Sequence, residues 1–306
     1  MKKVLALCYS QTGQLRRAFD ALLAGLDPAE FEVHVEVIRS RENYPFPWGF
    51  WQFMDVFPES VNGEAPQIEE PDFDPDANWD LVVIGYTVWY LAPALPIQGF
   101  LHSEYARVLK DKPVLTLLAC RNMWHGASEQ MKRELARLEA HHMDNVVLVD
   151  DGPPWATFVT TPRWMFTGKK DQWLGIFPPA GVSPEAIEGC RRFGEAVSRG
   201  RDQFSVRPIE PLCRGLGAVE VNERFVIPEM VGLGSFRPWA RIVRLFGPRG
   251  SSVRLPVLAA FLVYLVLAIL VLIPTTIVLR ILLFPFLRKP LRAQVRQLRA
   301  PSGDEA

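Results

Sequence analysis

The chain is poor in metal-binding and thiol residues, with 4 cysteines and 5 histidines in 306 residues. Cys8, Cys120, Cys190 and Cys213 form no CxxC pair and have no metal-ligand spacing, which excludes a zinc knuckle and a disulfide framework. His141 and His142 stand side by side with no third ligand, so no metal site is expected. A reducing cytoplasm suits this pattern. No secretory leader is expected, because the apolar stretch after Lys2 and Lys3 is short and runs into a glycine-containing turn without a small-residue cleavage site. Net charge is also absent: 34 Lys and Arg balance 34 Asp and Glu. That balance hides a split. Eleven of the basic residues but only two acids lie from residue 231 onward, leaving 23 basic and 32 acidic residues before it. A basic tail suits nucleic acid or an anionic membrane surface, and the uncharged run inside it decides for the membrane and against nucleic acid.

Residues 255–279 carry no charge, and about 20 apolar residues suffice to cross a bilayer core. Upstream, Trp239, Ile242, Val243, Leu245 and Phe246 interleave with Arg241 and Arg244, as in an interfacial helix. Downstream, Leu291, Val295 and Leu298 form one stripe, and Arg288, Arg292, Arg296 and Arg299 another. Basic residues on both sides of the run oppose a single span under the positive-inside tendency. Pro274, Thr275 and Thr276 could instead turn the chain back, with Arg280 reaching toward headgroups. Both topologies stay open, the re-entrant hairpin being slightly favoured. The expected organisation is an α/β domain at 1–201, a connector at 202–235 and a membrane anchor at 236–306. The anchor would hold the domain against membrane lipids on the cytoplasmic side of the inner membrane.

The first two hundred residues alternate strand and helix signals, which implies a doubly wound five-stranded parallel sheet. Strands are expected at 3–9, 31–38, 80–85, 113–119 and 145–149, and helices at 15–26, 128–141 and 184–198. Ser183 before Pro184 marks the start of the last helix. Residues 219–227 could be a strand pair or an extended arm. In such sheets the ligand sits at the carboxyl ends of the strands.

Ser10, Gln11, Thr12, Gly13, Gln14 and Leu15 follow the first strand and open the first helix, which places hydroxyls and backbone N–H groups where an anion binds. The alternative is an ordinary strand-to-helix turn. The run Tyr9-Ser10-Gln11-Thr12-Gly13-Gln14-Leu15 resembles the FMN phosphate loop of flavodoxins, which have a hydroxyl residue where Leu15 stands here. Two further loops carry the same resemblance. Thr87-Val88-Trp89-Tyr90 follows the third strand, where flavodoxins and related quinone reductases hold the flavin ring, and two adjacent rings are not expected both to face inward. Cys120-Arg121-Asn122-Met123 follows the fourth strand, at the second flavin loop. The resemblance covers residues 1–200 and implies a flavodoxin-like fold with these residues around FMN. The "YSQTGQL" loop, the "CRNMW" stretch and the chain length also resemble proteins named dialkylresorcinol condensing enzymes. That likeness implies work with a ketosynthase and an acyl carrier protein.

Trp48, Trp51, Trp89, Trp124, Trp155 and Trp164 fall on loops expected at the flavin edge, as an apolar pocket for a lipophilic substrate or as a membrane-facing belt. Arg121 is the candidate for stabilising negative charge on a reduced flavin, with Arg163 as a second candidate or a contact for an anionic substrate group. Tyr90 and His125 are candidate proton donors. No second dinucleotide fingerprint exists, so NAD(P)H would bind only transiently as donor. Three functions are weighed: a membrane-associated FMN-dependent oxidoreductase acting on a quinone-like or acyl-derived substrate, a condensing or aromatising partner in polyketide-type synthesis, and a flavin-free binding module. Self-association is left open.

Overall fold

The computed structural model describes residues 1–272, 275 and 284–303. Its centre is a sheet whose inner strands are apolar runs buried on both faces, the pattern a parallel sheet requires, while the edge strand Phe31–Val37 keeps exposed residues along its length. β1 (Lys2–Cys8), β2 (Phe31–Val37), β3 (Leu81–Trp89), β5 (Pro113–Cys120) and β6 (His141–Val149) are all parallel, in the order β2-β1-β3-β5-β6. β4 (Ala92–Pro93) adds a two-residue antiparallel bridge to the end of β3. Five parallel strands with the chain reversing direction between β1 and β3 is the flavodoxin-type doubly wound order, and its switch point is where such folds bind ligands. Ala6 pairs with Val35 on one side and Val83 on the other, and Leu117 lies between Gly85 and Val146.

Helices α1 (Gln14–Leu23), α4 (Leu95–Leu101), α5 (His125–Arg137) and α8 (Arg191–Arg199) flank the sheet; α2 (Phe50–Asp55), α3 (Phe57–Asn62), α6 (Pro154–Thr167) and α7 (Pro184–Glu188) rise beyond the carboxyl ends of the strands or lead back from them. α1 meets α8 so closely at Gly25 and Gly194 that a Cβ on Gly194 would collide with the Leu22 carbonyl. Ser183 caps α7 through its hydroxyl, which accepts from Ala186 N at 3.3 Å. The expected single helix at 184–198 is broken between Glu188 and Arg191.

His141 and His142, expected to end a helix, instead open β6, because α5 stops at Arg137 and Glu139 turns the chain with φ +57°. The His142 ring lies 2.9 Å from the Thr116 hydroxyl. Burial holds its pKa down at about 3.

The expected boundary at 235/236 falls inside one helix, α9 (Glu223–Arg244), which also absorbs most of the 219–227 arm. Asn222 caps it, accepting from Arg224 N at 3.1 Å. α9 is fixed to the α/β domain by Arg244 on Glu64 at 2.6 Å. α10 (Leu255–Leu267) begins beside Arg254, a fully buried arginine 2.9 Å from Asp55 and 2.8 Å from Glu59. The stretch Ser252–Val271 is long and apolar enough to cross a membrane, and only 17% of its most apolar window is buried, unlike a core helix. Phe261 stacks on Phe57 at 3.8 Å, so the root of α10 packs on the domain while Val263, Val266, Leu267, Leu270 and Val271 are exposed.

The Leu291, Val295 and Leu298 stripe of α11 (Phe284–Arg299) is buried against Val226 of α9. Ser302 then docks on β6: its hydroxyl donates to Asp144 at 2.6 Å and accepts from Asn145 N at 2.8 Å. The turn expected at Pro274 and Thr276, and the Arg280 contact, lie outside the described residues.

Candidate functional site

At the carboxyl end of β1 the chain turns into α1 at Gly13, whose φ of +79° suits glycine and aims successive N–H groups outward. The Ser10 hydroxyl accepts from Arg16 N at 3.2 Å, and Thr12 Oγ1 from Gln14 N at 3.4 Å. Among the described residues, the N–H groups of Gln11, Thr12, Gly13 and Leu15 have no hydrogen-bond partner. Four such donors at a helix N-terminus make an anion cradle. The side chains of three expected contacts are occupied otherwise. Gln11 donates to the carbonyls of Tyr44 at 3.1 Å and Pro45 at 2.9 Å, while its own carbonyl accepts the Tyr9 hydroxyl. The Gln14 carbonyl accepts from Val182 N at 3.0 Å. Leu15 is 1% exposed and belongs to the core, so this position can offer only its N–H.

Beyond β3 the chain makes a two-residue hairpin into β4, with Tyr90 at φ +48° and Leu91 at φ +65°. Such a turn puts both central residues in the left-handed region, which is strained for non-glycine residues. Both adjacent rings nonetheless pack inward, against expectation, because the turn lets them diverge. Trp89 lies edge-on to Tyr9, Tyr44 and Trp48 at 5.8, 5.2 and 5.4 Å. Tyr90 stacks on Phe53 at 4.8 Å and donates its hydroxyl to the Phe53 carbonyl at 2.8 Å. Burial pushes the Tyr90 pKa well above the ordinary phenol value. Its proton is therefore held, and directed at a backbone carbonyl.

After β5, Cys120 carries a thiol whose pKa burial raises, which keeps it a neutral filler. Arg121 lies over the Phe158 ring at 4.0 Å and, among the described residues, has no carboxylate within ion-pair distance and no hydrogen bond from its guanidinium. Burial lowers its pKa, with the Cys120 and Asp150 fields opposing that. Asn122 Oδ1 accepts from Met123 N at 2.9 Å, and Met123 turns the chain with φ +53°. Beyond that turn His125 faces α9 instead. Its Nδ1 lies 2.7 Å from Glu229 of α9, without the alignment of a hydrogen bond, and its ring lines a different cavity. Arg163 is likewise elsewhere: it braces the following loop, bonding the Asp171 carboxylate at 3.2 Å and the carbonyls of Lys169 and Asp171.

The tryptophans divide too. Trp48, Trp89 and Trp164 line the cavity, Trp124 is buried in the core, and Trp51 and Trp155 are exposed. Trp155, Trp164 and Phe166 sit on α6, not on a loop.

The loops converge on one cavity of about 150 Å³ above the ends of β1, β3, β5 and β6. Thr87, Val88, Trp89 and Tyr90 wall one side and Cys120 and Arg121 another, with Gln11, Thr12, Gln14 and Leu15 at the phosphate-loop end. Residues not expected from the sequence complete it. Asp150, at the end of β6, accepts from Gly152 N and Gly181 N, both at 2.8 Å, and burial raises its pKa. The signal was present as an acid placed directly after a buried strand. Thr161 contributes from α6, and Trp48, which was expected at this edge, from the loop after β2. Trp48 Nε1, Thr87 Oγ1 and Thr161 Oγ1 are all buried without a hydrogen-bond partner. These atoms lie behind the cavity surface on residues that line it, each unpaired at a cost of roughly 1–3 kcal/mol.

No family model matches the chain, and no curated protein matches it. Solved structures do. A flavoprotein in complex with FMN from Lactobacillus acidophilus NCFM is 19% identical, covers 48% of this chain and 92% of its own, and has a TM-score of 0.39. A flavodoxin, WrbA-like protein from Agrobacterium tumefaciens is 12% identical over 67% of this chain and 100% of its own, at 0.37. A flavone reductase is 12% identical over 68% of this chain and 65% of its own, also at 0.37. At these scores a likeness transfers no function, and what this chain binds has to be read from its own residues.

Proposed function

We propose that the chain is a membrane-associated, FMN-dependent oxidoreductase acting on a lipophilic substrate. One observation carries the reading: the cradle of unpaired N–H groups opens on the same cavity as the Arg121 guanidinium, which has no ion pair or hydrogen bond among the described residues. An amphipathic, planar phosphate ester answers both. The N–H groups of Gln11, Thr12, Gly13 and Leu15 would hold the phosphate, with the Ser10 and Thr12 hydroxyls in support. The Thr87–Tyr90 hairpin and the Cys120–Met123 loop would hold the ring. FMN supplies hydride transfer when bound. Arg121 then neutralises negative charge that develops in the cavity, and does so strongly because the aromatic walls keep water out. Tyr90 orients the hairpin and is not the proton donor, since its hydroxyl already serves Phe53.

Membrane association is supported by the exposed apolar face of α10. Both flanks of the apolar segment are tied to the same α/β domain, by Arg254 at one end and Ser302 at the other. The chain would therefore enter and leave the bilayer from one face, the cytoplasmic one. Within this chemistry, oxidation of a cyclised ring alongside a ketosynthase and acyl carrier protein is the narrower form that the resemblance to dialkylresorcinol condensing enzymes suggests.

The test is turnover of NAD(P)H with 2-decyl-1,4-benzoquinone by vesicle-reconstituted protein. Flavin-dependent turnover without any acyl partner is expected. A flavin-loaded protein inert toward quinones and all lipophilic acceptors would overturn the oxidoreductase reading.

A further inference from the structure

A second cavity, of about 200 Å³, adjoins the first and shares Tyr90 and Arg121 with it. Its wall is hydrocarbon: Met123 and Phe158 from the domain, Val231 and Phe236 from α9, and Leu265 and Ile269 from the apolar segment of α10. The two hydroxyls in the wall both donate to carbonyls, Ser235 to Gly232 at 2.9 Å and Tyr90 to Phe53 at 2.8 Å. Three of the non-glycine residues with left-handed backbone, Tyr90, Leu91 and Met123, line it. Strain of this kind gathers where the surrounding structure holds a functional shape. The far wall is the helix whose neighbouring residues Val266, Leu267 and Leu270 are exposed apolar surface.

We propose that this cavity takes the hydrocarbon tail of the substrate, and that the substrate is a membrane-dissolved amphiphile with an oxygen-bearing ring and a long alkyl chain. The proposal rests on the oxidoreductase reading and adds the substrate class and its route. The tail lies between α9 and α10, continuous with the bilayer side of α10. The ring end reaches Arg121, which stands at the junction of the two cavities and has no anionic partner of its own among the described residues. A guanidinium there recognises a carbonyl or phenolate oxygen and holds it toward the flavin cavity. A free phosphate or a sugar headgroup would find no further polar contact in this wall. A tail explains why a wall whose side chains are apolar but for Arg121, Ser235 and Tyr90 directly adjoins the polar cradle of the first cavity.

The experiment uses full-length protein in lipid vesicles and a dodecyl-substituted benzoquinone with a diazirine at the chain end. Cross-linked peptides are mapped by mass spectrometry, and flavin content is read in the same samples. Cross-links are expected on residues facing the cavity from α9 and α10, such as Val231 and Leu265. They should be displaced by 2-decyl-1,4-benzoquinone and not by the same concentration of 1,4-benzoquinone, which has no chain to fill the cavity. Ala268→Trp, which fills the wall from α10, should abolish the cross-links and leave flavin content unchanged. Arg121→Met should keep the tail cross-links and weaken displacement about tenfold or more.

Cross-links confined to the outward side of α10, at Val263 or Leu270, and equal in wild type and Ala268→Trp, would overturn the proposal. So would cross-links in the cavity that the competitor does not displace, which would mark a bound phospholipid chain. Labelling as expected in a protein that carries no flavin would leave the tail site standing and remove only the redox reading.

Discussion

Gly13 has open space around it, with no heavy atom within 4 Å of a Cβ placed there. Its role is therefore conformational: at φ +79° a side chain strains the turn that aims the N–H groups. Gly13→Val should weaken FMN binding about tenfold or more while the far-ultraviolet circular dichroism stays that of wild type. Flavin retention equal to wild type would remove the phosphate-loop assignment. Arg121→Met should keep flavin but lower turnover of a bound acceptor by about 10²–10³-fold, the scale of losing one charge-stabilising donor.

His142 gives a pH prediction. Its pKa is about 3 in the fold against 6.5 when exposed, so its neutral form contributes stability in full above pH 6.5. That contribution falls away as the pH drops from there toward about 3, because the unfolded chain takes up the proton first. His142→Gln should reduce the difference in urea midpoint between pH 7.5 and pH 5, and an unchanged difference would show that other groups carry the acid sensitivity. At this scale the strand-to-helix turn at Gly13 was readable in the sequence, because turn chemistry is local. The diversions of His125 to Glu229 and Arg163 to Asp171 were not, because both partners are supplied by packing further along the chain.

Among the elements, the inner strands were readable because their apolar runs are buried on both faces and β2 because its residues alternate, and the order of loops followed from their alternation with helices. β6 began four residues earlier than periodicity indicated, since its first residues, His141 to Asp144, read as polar. The helical character of α9 was hidden by Pro228 and Pro238, both inside it. α9 and the root of α10 are held to the domain through charge as well as apolar contact. Arg254 is fully buried between Asp55 and Glu59, and Arg244 adds a contact to Glu59 at 3.6 Å. Removing one partner leaves the others uncompensated, so Arg254→Met should destabilise the fold by about 3–5 kcal/mol in thermal or denaturant unfolding. A variant with wild-type stability would mean that α10 docks by its apolar face alone.

For the whole molecule, the acidic domain and basic tail predicted a membrane-facing arrangement, but composition could not show that the tail returns to the sheet. Ser302 sits 1% exposed against Asp144 and Asn145, which ties the end of the described chain to β6. Cysteines introduced as Ser252→Cys and Gln294→Cys should thus both react with a membrane-impermeant maleimide from the same side of sealed vesicles. Labelling from opposite sides would contradict the docked arrangement. The two cavities, the strained hairpin between them and Arg121, unpaired among the described residues, join the domain, α9 and α10 into one unit, which we propose is built around a flavin. That unit is tested most directly by the visible absorption spectrum of the detergent-purified protein, with the released cofactor identified by chromatography. The account predicts a flavin spectrum and FMN near one equivalent, or stoichiometric uptake when FMN is added. A colourless protein that cannot be loaded with FMN would contradict it.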